Sequence, residues 1–433
     1  MEQKAVSLVK VNKVYDSLLE SLRLIDGLGG LSPDDQILIK PNIVSWDFEL
    51  PFPPFGVVTT SALVEGLVRI LAENGFNRIT IGEGSLPNLS PKGQEVYRAL
   101  GYDKLAERYG VKLVDFNEEE FVEVDYGDGF KLDIARHVLE ADKIINVPVL
   151  KSHNQVKVSL GIKNLKGCLS KEAKQFCHGL GEEDLSLTFP RIIEKLPVAL
   201  TVIDGIFTLE KGPGPTGKAY RKDLFIASRD PFAADLAGTV VMGYEPGEVD
   251  YLVYYARRHR YSLDLADYEL RGEDPYRHRA YVDYDWEWTE DNTGPKGFAR
   301  QGITGLAIRK YDSSLCTGCS VQYNPMLILM SSAFKGKPFP NVEIVTGKGQ
   351  LASPGFDYSV LFGKCACHLN KDNPNIKNAV KIWGCPPDME RFVAKMAEIG
   401  IECNYREYIR FRHYLFNRYK KEEGYDLDYW TVK

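Results

Sequence analysis

The sequence contains no apolar run approaching the ~18 residues that a membrane-spanning helix needs. Its first residues lack the basic region, apolar stretch and small-residue cleavage site of a signal peptide, so we expect a cytoplasmic protein with no membrane partner. Positive charge is not in excess either, because 54 Lys and Arg stand against 60 Asp and Glu, a formal charge of −6. This balance argues against general affinity for nucleic acid or anionic membranes.

Two nucleotide-binding signatures are also missing. No GxGxxG motif follows any strand-like segment, which disfavours a dinucleotide-binding domain. The glycine-rich stretch 212–217 (GPGPTG) contains two prolines and does not lead into the Gly-Lys-Ser/Thr of a phosphate-binding P-loop. We interpret it as a rigid wall or lid beside a binding crevice.

Residues 1–250 alternate short aliphatic or β-branched runs with longer amphipathic stretches. This alternation predicts an α/β core, in one lobe or two, with a largely parallel sheet flanked by helices. One helix is predicted over 60–74 and another over 232–242, where Asp230 and Pro231 supply a cap and a first-turn proline. The predicted strands are residues 36–40, 78–81, 143–147, 199–203 and 224–227.

The composition changes after the core. Residues 251–301 are rich in Tyr, Trp and Arg and show little periodicity, so we interpret them as an insertion or connector. Residues 302–433 hold most of the cysteines and finish in charged, aromatic, helix-like sequence. At 433 residues the chain is long enough for more than one domain, and we expect 302–433 to form a C-terminal α+β domain.

The cysteines of this last part form a metal-binding pattern. A CTGC motif at 316–319 places two thiols one tight turn apart, Cys365 follows a Gly-Lys pair, and Cys385 precedes two prolines. Cysteine followed by proline is typical of the last ligand in ferredoxin-type clusters. Clustered cysteines in a reducing compartment indicate metal or redox chemistry instead of disulfides. We therefore predict one 4Fe-4S cluster bound by Cys316, Cys319, Cys365 and Cys385.

Three alternatives stay open for these cysteines. Four cysteines, or three with His368, would also suit tetrahedral zinc. Cys367 competes with Cys365 as the third ligand, and we favour Cys365 because Gly363 and Lys364 before it offer close backbone approach and positive charge. Reduced cysteines without metal are the third alternative. The cysteines predicted to be ordinary core residues are Cys168, Cys177 and Cys403.

Polar residues follow every predicted strand, and ligands of open α/β sheets bind beyond the carboxyl ends of the strands. Lysines beside glycines in the segment LKSHNQVKVSLGIKNLKG predict a small anionic ligand, although each lysine could instead be a solvated surface residue. A proton-transfer role for His153 rests on its pKa range, and a structural histidine is the alternative. The catalytic candidates are His153, Lys151, Glu83 and Asp204, and the substrate-binding candidates are Lys40, Asn42, Lys163, Lys166 and Arg229.

Between about residues 36 and 250 the sequence resembles the family catalogued as domain of unknown function 362. The resemblance rests on segments in the family's order: ILIKPNIV, VTTSALVEGLVRILAENG, ITIGEGS, ADKIINVPVLKSH, LGIKNLKGC, VIDGI, GPGPTG and ASRDPFAADLAGTVVMGYEP. It implies an α/β core that members often pair with an iron-sulfur segment. The cysteines here are more widely spaced than the compact ferredoxin-like repeat of many members, which favours a single cluster. A fainter likeness to nickel-pincer lactate racemases, around Gly161 and Lys163, does not carry over a nickel cofactor.

Three functions are compatible with these residues. The first is an oxidoreductase in which the cluster exchanges electrons with a small anionic substrate or second cofactor, with an electron-transfer protein as a possible partner. The second is a lyase or dehydratase in which one iron lacks a cysteine and binds substrate. The third is a non-enzymatic electron carrier or structural cluster protein.

Overall fold

The computed structural model describes residues 4–44, 52–85 and 93–433. The chain forms two compact units. The first comprises Met1–Lys174, Ser186–Asp285 and Arg418–Lys433, and the second comprises Gln175–Leu185 and Trp286–Asn417. The segment 251–301, which we expected as a connector, is divided between the two units after Asp285.

The first unit is built around one large sheet. Its strands, with the two of a separate hairpin, are β1 (Ala5–Lys10), β2 (Ile37–Pro41), β3 (Ile79–Glu83), β4 (Lys112–Asp115), β5 (Phe121–Asp125), β6 (Lys131–Ala135), β7 (Lys143–Val147), β8 (Val149–His153), β9 (Lys157–Ser159), β10 (Val198–Leu209), β11 (Ala219–Ser228) and β12 (Glu269–Gly272). The α-helices before residue 285 are α1 (Val14–Leu24), α2 (Ser61–Glu73), α3 (Gly93–Ala99), α4 (Tyr102–Tyr109), α5 (Arg136–Glu140), α6 (Gly161–Asn164), α7 (Lys171–Phe176), α8 (Leu185–Thr188), α9 (Pro231–Val241) and α10 (Asp250–His259).

The central strands of this sheet are parallel. They lie in the order β4, β3, β2, β7, β10, and every neighbouring pair among them runs in the same direction. β11 then pairs antiparallel with both β10 and β1, and β8 pairs in parallel with the second half of β10. After β2, the chain places β3 and β4 on one side of that strand. It then places β7 on the other side, so the strand order reverses between β2 and β7. The expected α/β fold with a largely parallel sheet is confirmed.

Local sequence explains these elements. All five residues of β2 are buried, which is typical of a parallel strand covered on both faces. α2 buries one apolar face, including Leu63, Leu67 and Leu71. The Asp230 carboxylate caps α9 by accepting hydrogen bonds from the backbone N–H groups of Phe232 and Ala233. Each predicted strand overlaps an observed one, and both predicted helices form within one or two residues of their expected ends.

The second unit contains a smaller sheet whose strands are all parallel. Its strands are β13 (Leu306–Ile308), β14 (Val342–Thr346), β15 (Tyr358–Phe362) and β16 (Ala379–Ile382), paired in chain order. Its α-helices from residue 286 onward are α11 (Lys296–Arg300), α12 (Thr317–Ala333), α13 (Lys364–Leu369), α14 (Met389–Glu398) and α15 (Tyr405–Asn417). This part therefore has an α/β arrangement where we expected α+β, because α12 and α13 serve as crossovers between parallel strands.

Among the residues that the structure describes, we find no helix with the length and apolarity needed to cross a membrane.

Candidate functional site

A cluster of buried polar side chains lies at the carboxyl end of the first unit's parallel strands, where the strand order reverses, and we call this edge of the sheet the crevice. Lys40 is at the end of β2, Glu83 ends β3, and Asn146 is near the end of β7. Two adjacent strands whose crossovers leave in opposite directions open a gap at this edge, which is the usual ligand position in such sheets.

A buried ion pair forms the floor of the crevice. Lys40 Nζ lies 2.8 Å from Glu83 Oε1, and the two side chains are 0% and 4% exposed. The carboxylate also accepts hydrogen bonds from the backbone N–H groups of Gly84 at 2.8 Å and Ile43 at 3.1 Å. Gly167 allows the close approach, since a Cβ there would lie 2.3 Å from Glu83 Oε1. Each charge is therefore matched by a partner, as burial requires.

Amide side chains extend this network. Asn164 Oδ1 accepts a hydrogen bond from Asn42 Nδ2, and Asn164 Nδ2 donates to Asn146 Oδ1, both at 2.8 Å. Lys151 Nζ then donates to Asn42 Oδ1 at 2.6 Å and to the Val57 carbonyl at 2.7 Å. Strands β2, β7 and β8 and helix α6 thus hold one continuous set of hydrogen bonds.

The lysines around this network carry more positive charge than Glu83 can balance. Burial lowers the pKa of Lys151 to about 7, with the nearby Glu83 opposing and Lys40 reinforcing that shift. Burial likewise lowers the pKa of Lys174, to about 8, although its Nζ donates to the Gly84 carbonyl at 2.8 Å. Loss of hydration, followed by repulsion from Lys166 and Lys151, lowers the pKa of Lys163 well below the lysine range. An anion would relieve this repulsion.

His153 is the last residue of β8 and is buried at 5% exposure, two residues from Lys151 and so on the same face of the strand. The Gln155 backbone N–H donates to His153 Nδ1 at 3.2 Å. In the neutral ring this bond assigns the proton to Nε2. The ring can therefore donate through Nε2.

Two predicted residues have other partners. Asp204 lies inside β10, where its carboxylate accepts hydrogen bonds from the backbone N–H of Thr60 at 2.7 Å and of Ile206 at 3.2 Å. Burial raises the pKa of Asp204. Arg229 follows β11, and its Nη1 lies 3.7 Å from Asp26 Oδ2. Because β11 is antiparallel to β10, the end of β11 lies at the opposite edge of the sheet, and the structure does not bring Arg229 to the crevice.

In the second unit, the four cysteines predicted as ligands follow the carboxyl ends of parallel strands. Cys316 is the N-cap of α12 and Cys319 lies in its first turn. Cys365 is in the first turn of α13, directly after β15, and Cys385 follows β16. First-turn N–H groups without a helical partner favour thiolates at such positions.

These four thiols lie close enough together to affect the ionisation of Cys319 and Cys365. A hydrogen bond with Cys316, then burial, then repulsion from Cys316, Cys365 and Cys385 raise the pKa of Cys319 well above the usual thiol range. Burial raises the pKa of Cys365, with Cys316 and Cys385 adding to the effect while Lys348 and Lys364 oppose it. The thiolate forms of this group therefore need positive charge that the two lysines do not fully supply.

Local backbone and one amide support this arrangement. Gly363 has a φ of 100°, which strains any other residue, and a Cβ there would lie 3.0 Å from Cys319 Sγ and crowd the thiol. Gln175 Nε2 lies 3.2 Å from Cys385 Sγ and donates a hydrogen bond to it. Lys348 Nζ in turn donates to the Gln175 carbonyl at 2.8 Å.

The other cysteines are placed differently. Cys367 is 2% exposed, packs with Val345 and Leu361, and donates to the Leu361 carbonyl at 3.4 Å. Cys403 is partly exposed beside the core of the second unit, and Cys168 is fully buried, as is Cys177. A search of residues 4–44, 52–85 and 93–433 finds no group of three or more His, Cys, Asp or Glu side chains arranged to hold a metal ion.

Comparison with known proteins identifies the core. Residues 37–240 match the model of the family described as domain of unknown function 362. This match agrees with the family resemblance seen in the sequence over the same segment. A thylakoid-associated protein from Synechocystis sp. is 28% identical over 278 residues, which cover 62% of this chain and 82% of that protein.

A solved structure also aligns with the chain. The lactate racemase apoprotein from Thermoanaerobacterium thermosaccharolyticum aligns with a TM-score of 0.36 at 15% identity. The alignment covers 56% of this chain and 57% of that protein, so the chain spans little more than half of the racemase.

The crevice residues all lie within the matched segment 37–240, whereas the four clustered cysteines lie beyond it. Sequence reasoning missed several crevice residues within that segment. Asn146 was detectable as a polar residue in an otherwise apolar strand, and Asn164 as part of the GIKNLKG segment. No feature of the sequence indicated Lys174 as a site residue, because its position depends on how α7 packs beside Gly84.

Asp235 of the same segment was also missed. Its carboxylate accepts hydrogen bonds from the backbone N–H groups of Gly161 at 2.6 Å and Ile162 at 3.1 Å, and from Tyr251 Oη at 2.8 Å. Burial raises the pKa of Asp235 to about 7, although these three bonds favour its ionised form. Asp235 thereby fixes the start of α6, the helix that carries Lys163.

Proposed function

We propose that this protein is an iron-sulfur oxidoreductase. One 4Fe-4S cluster in the second unit would exchange single electrons with a partner protein and with a small anionic substrate or second cofactor bound in the lysine-lined crevice. The observation that carries the proposal is the convergence of Cys316, Cys319, Cys365 and Cys385. They are separated in sequence, yet the other three thiols lie close enough to Cys319 to raise its pKa.

The donor set fits a cubane cluster. Each thiolate of a cubane binds a different iron, so the four sulfurs need not surround one point as they would around a single ion. The bound cluster would supply reversible one-electron chemistry together with the positive charge that the thiolates need. Four thiols favour full ligation and electron transfer over a lyase, in which one iron would lack a cysteine.

The crevice residues would have distinct tasks. Lys151, Lys163 and Lys166 would hold the anion, and His153 would donate or accept a proton through Nε2. Glu83 would act indirectly, since both of its oxygens already bind Lys40 or backbone N–H groups. The role of Asp204 would be to position the start of α2 through Thr60.

Anion affinity is expected to fall as the pH rises. The pKa values of Lys151, about 7, and Lys174, about 8, are depressed in the folded protein, so both amines are protonated below that range and lose their charge through it. Losing each charge should weaken sulfate binding about tenfold between pH 6 and 9. Calorimetric titration with sulfate, which stays a dianion throughout, measures this. Lys151→Met should flatten the profile, and an affinity that is constant or rises with pH would contradict the anion site.

Gln175→Leu should lower the reduction potential of the cluster. Hydrogen bonds to cluster sulfurs stabilise the reduced state, and loss of a bond worth about 1 kcal/mol corresponds to a shift of about 40 mV for one electron. A redox titration followed by electron paramagnetic resonance measures the shift. The exposed Gln301 provides a matched control, since Gln301→Leu removes an amide of the same unit that makes no bond to a cysteine. Equal potentials in the two variants would exclude a role for Gln175.

The proposed function is tested by asking whether an anion bound in the crevice can oxidise the reduced cluster. Reduced protein would be mixed anaerobically with a panel of small oxidised anions while the cluster absorption is followed. We expect at least one anion to reoxidise the wild-type cluster, and the double variant Lys151→Ala/His153→Ala to lose this response with its iron content unchanged. Equal reoxidation rates in both proteins would show that the crevice takes no part.

A further inference from the structure

Lys163 differs from Lys40 and Lys151 in that no hydrogen-bond or ion-pair partner for its amine lies among the residues that the structure describes. Lys40 Nζ is paired with Glu83, and Lys151 Nζ donates to Asn42. Within the described part of the chain, Lys163 Nζ makes no hydrogen bond or ion pair, and the residue keeps some exposure although protein atoms surround its amine. Its amine is therefore available to a ligand that enters the crevice.

The backbone around Lys163 is nevertheless fixed. On one side, Asp235 binds the N–H groups of Gly161 and Ile162. On the other, the Asn164 side chain is bonded to Asn42 and Asn146. A free amine on a rigid one-turn helix is the arrangement that a covalent substrate lysine requires, because the nucleophile is positioned before the substrate arrives.

The surroundings of Lys163 favour its nucleophilic form. Burial and the charges of Lys166 and Lys151 lower its pKa well below the lysine range, which increases the fraction of uncharged amine near neutral pH. Lysines activated by desolvation or by a cationic neighbour attack carbonyl carbons and form Schiff bases. The same cationic neighbours would bind a carboxylate next to that carbonyl.

We propose that Lys163 forms an imine with a small 2-oxo acid whose carboxylate is held by Lys151 and Lys166. The amine nitrogen bonds to the carbonyl carbon, the carbonyl oxygen is protonated and leaves as one water molecule, and a C=N bond replaces C=O with no change in oxidation state. This inference deepens the proposed function by naming the substrate class. It rests on the anion-binding crevice and not on the cluster.

Trapping with a hydride donor tests the proposal. The full-length protein is incubated with pyruvate or 2-oxoglutarate and sodium cyanoborohydride, which reduces an imine to a stable secondary amine, and the modified peptide is located by mass spectrometry. We expect one adduct per chain, at Lys163, and at least about a tenfold loss of it in Lys163→Arg. Lys195→Arg, a substitution at an exposed lysine, should leave the adduct unchanged.

Lactate has the carboxylate of pyruvate but a hydroxyl in place of the ketone, so it can bind the anion site without forming an imine. Its binding therefore distinguishes failure of the imine from failure of the anion site. Lactate should compete with adduct formation in the wild-type protein. Equal labelling of Lys163→Arg and wild type, labelling spread over exposed lysines, or no adduct although lactate binds would overturn the imine while leaving the anion site intact. Failure of the cluster proposal would be separate, because a protein without iron would still form the adduct.

Discussion

Replacing Cys316, Cys319 or Cys385 by serine is expected to remove most of the iron and sulfide from the protein. Disturbing residues that merely orient metal ligands already lowers metal affinity roughly tenfold or more, so losing a ligand should exceed that effect. Iron and sulfide analysis after anaerobic reconstitution, together with the visible absorption, measures the loss. The same result is expected for Cys365→Ser, since Cys365 lies with the other three thiols.

Two other cysteines provide matched controls. Cys367→Ser should retain the cluster, because the Cys367 thiol packs in an apolar group and donates to the Leu361 carbonyl. Cys403→Ser should also retain it, because Cys403 packs against the hydrophobic core of the second unit. If Cys367→Ser lost the cluster and Cys365→Ser kept it, the third ligand would be reassigned to Cys367.

Glu83→Ala should destabilise the first unit by about 3–5 kcal/mol, the usual cost of leaving one charge of a buried ion pair without its partner. Lys40 is 0% exposed, so its amine does not reach bulk water in the folded protein. The backbone N–H groups of Gly84 and Ile43 would lose their acceptor as well. Urea unfolding followed by circular dichroism measures the change in the free energy of unfolding.

The double variant Lys40→Met/Glu83→Leu distinguishes the stability cost of the unpaired Lys40 charge from the cost of losing the Glu83 side-chain volume. Replacing both members of a buried pair by apolar residues is often neutral, so we expect this variant to recover about half or more of the stability lost in Glu83→Ala. A loss below about 1 kcal/mol in Glu83→Ala would mean that Lys40 finds another partner or releases its proton, and that the pair does not organise the crevice floor.

Much of the first unit could be predicted from the sequence because its strands are buried on both faces and appear as compact apolar runs. The helix over 60–74 was predictable from its apolar period, and α9 from its Asp-Pro start. The second unit was harder. β13 has only three residues, and β14 contains the buried Glu343, whose carboxylate accepts hydrogen bonds from Ser353 and Ser359. These strands therefore gave a weak signal for a parallel sheet.

The crevice was predictable as far as it depends on strand direction. Lys40, Asn42 and Glu83 lie at or just after the carboxyl ends of parallel strands, and the structure brings them together. The sequence gives no direct measure of strand direction, so Arg229 was included although β11 is antiparallel. The positions of Asn164 and Lys174 depend on how α6 and α7 pack, which is a tertiary property without a local signature.

The central claim is that four converging cysteines hold one 4Fe-4S cluster. Anaerobic purification followed by metal and sulfide analysis and electron paramagnetic resonance of the reduced protein tests it most directly. The account predicts a coloured protein with about four iron and four sulfide per chain and the resonance of a reduced cubane. A colourless protein with stoichiometric zinc and no sulfide would contradict it.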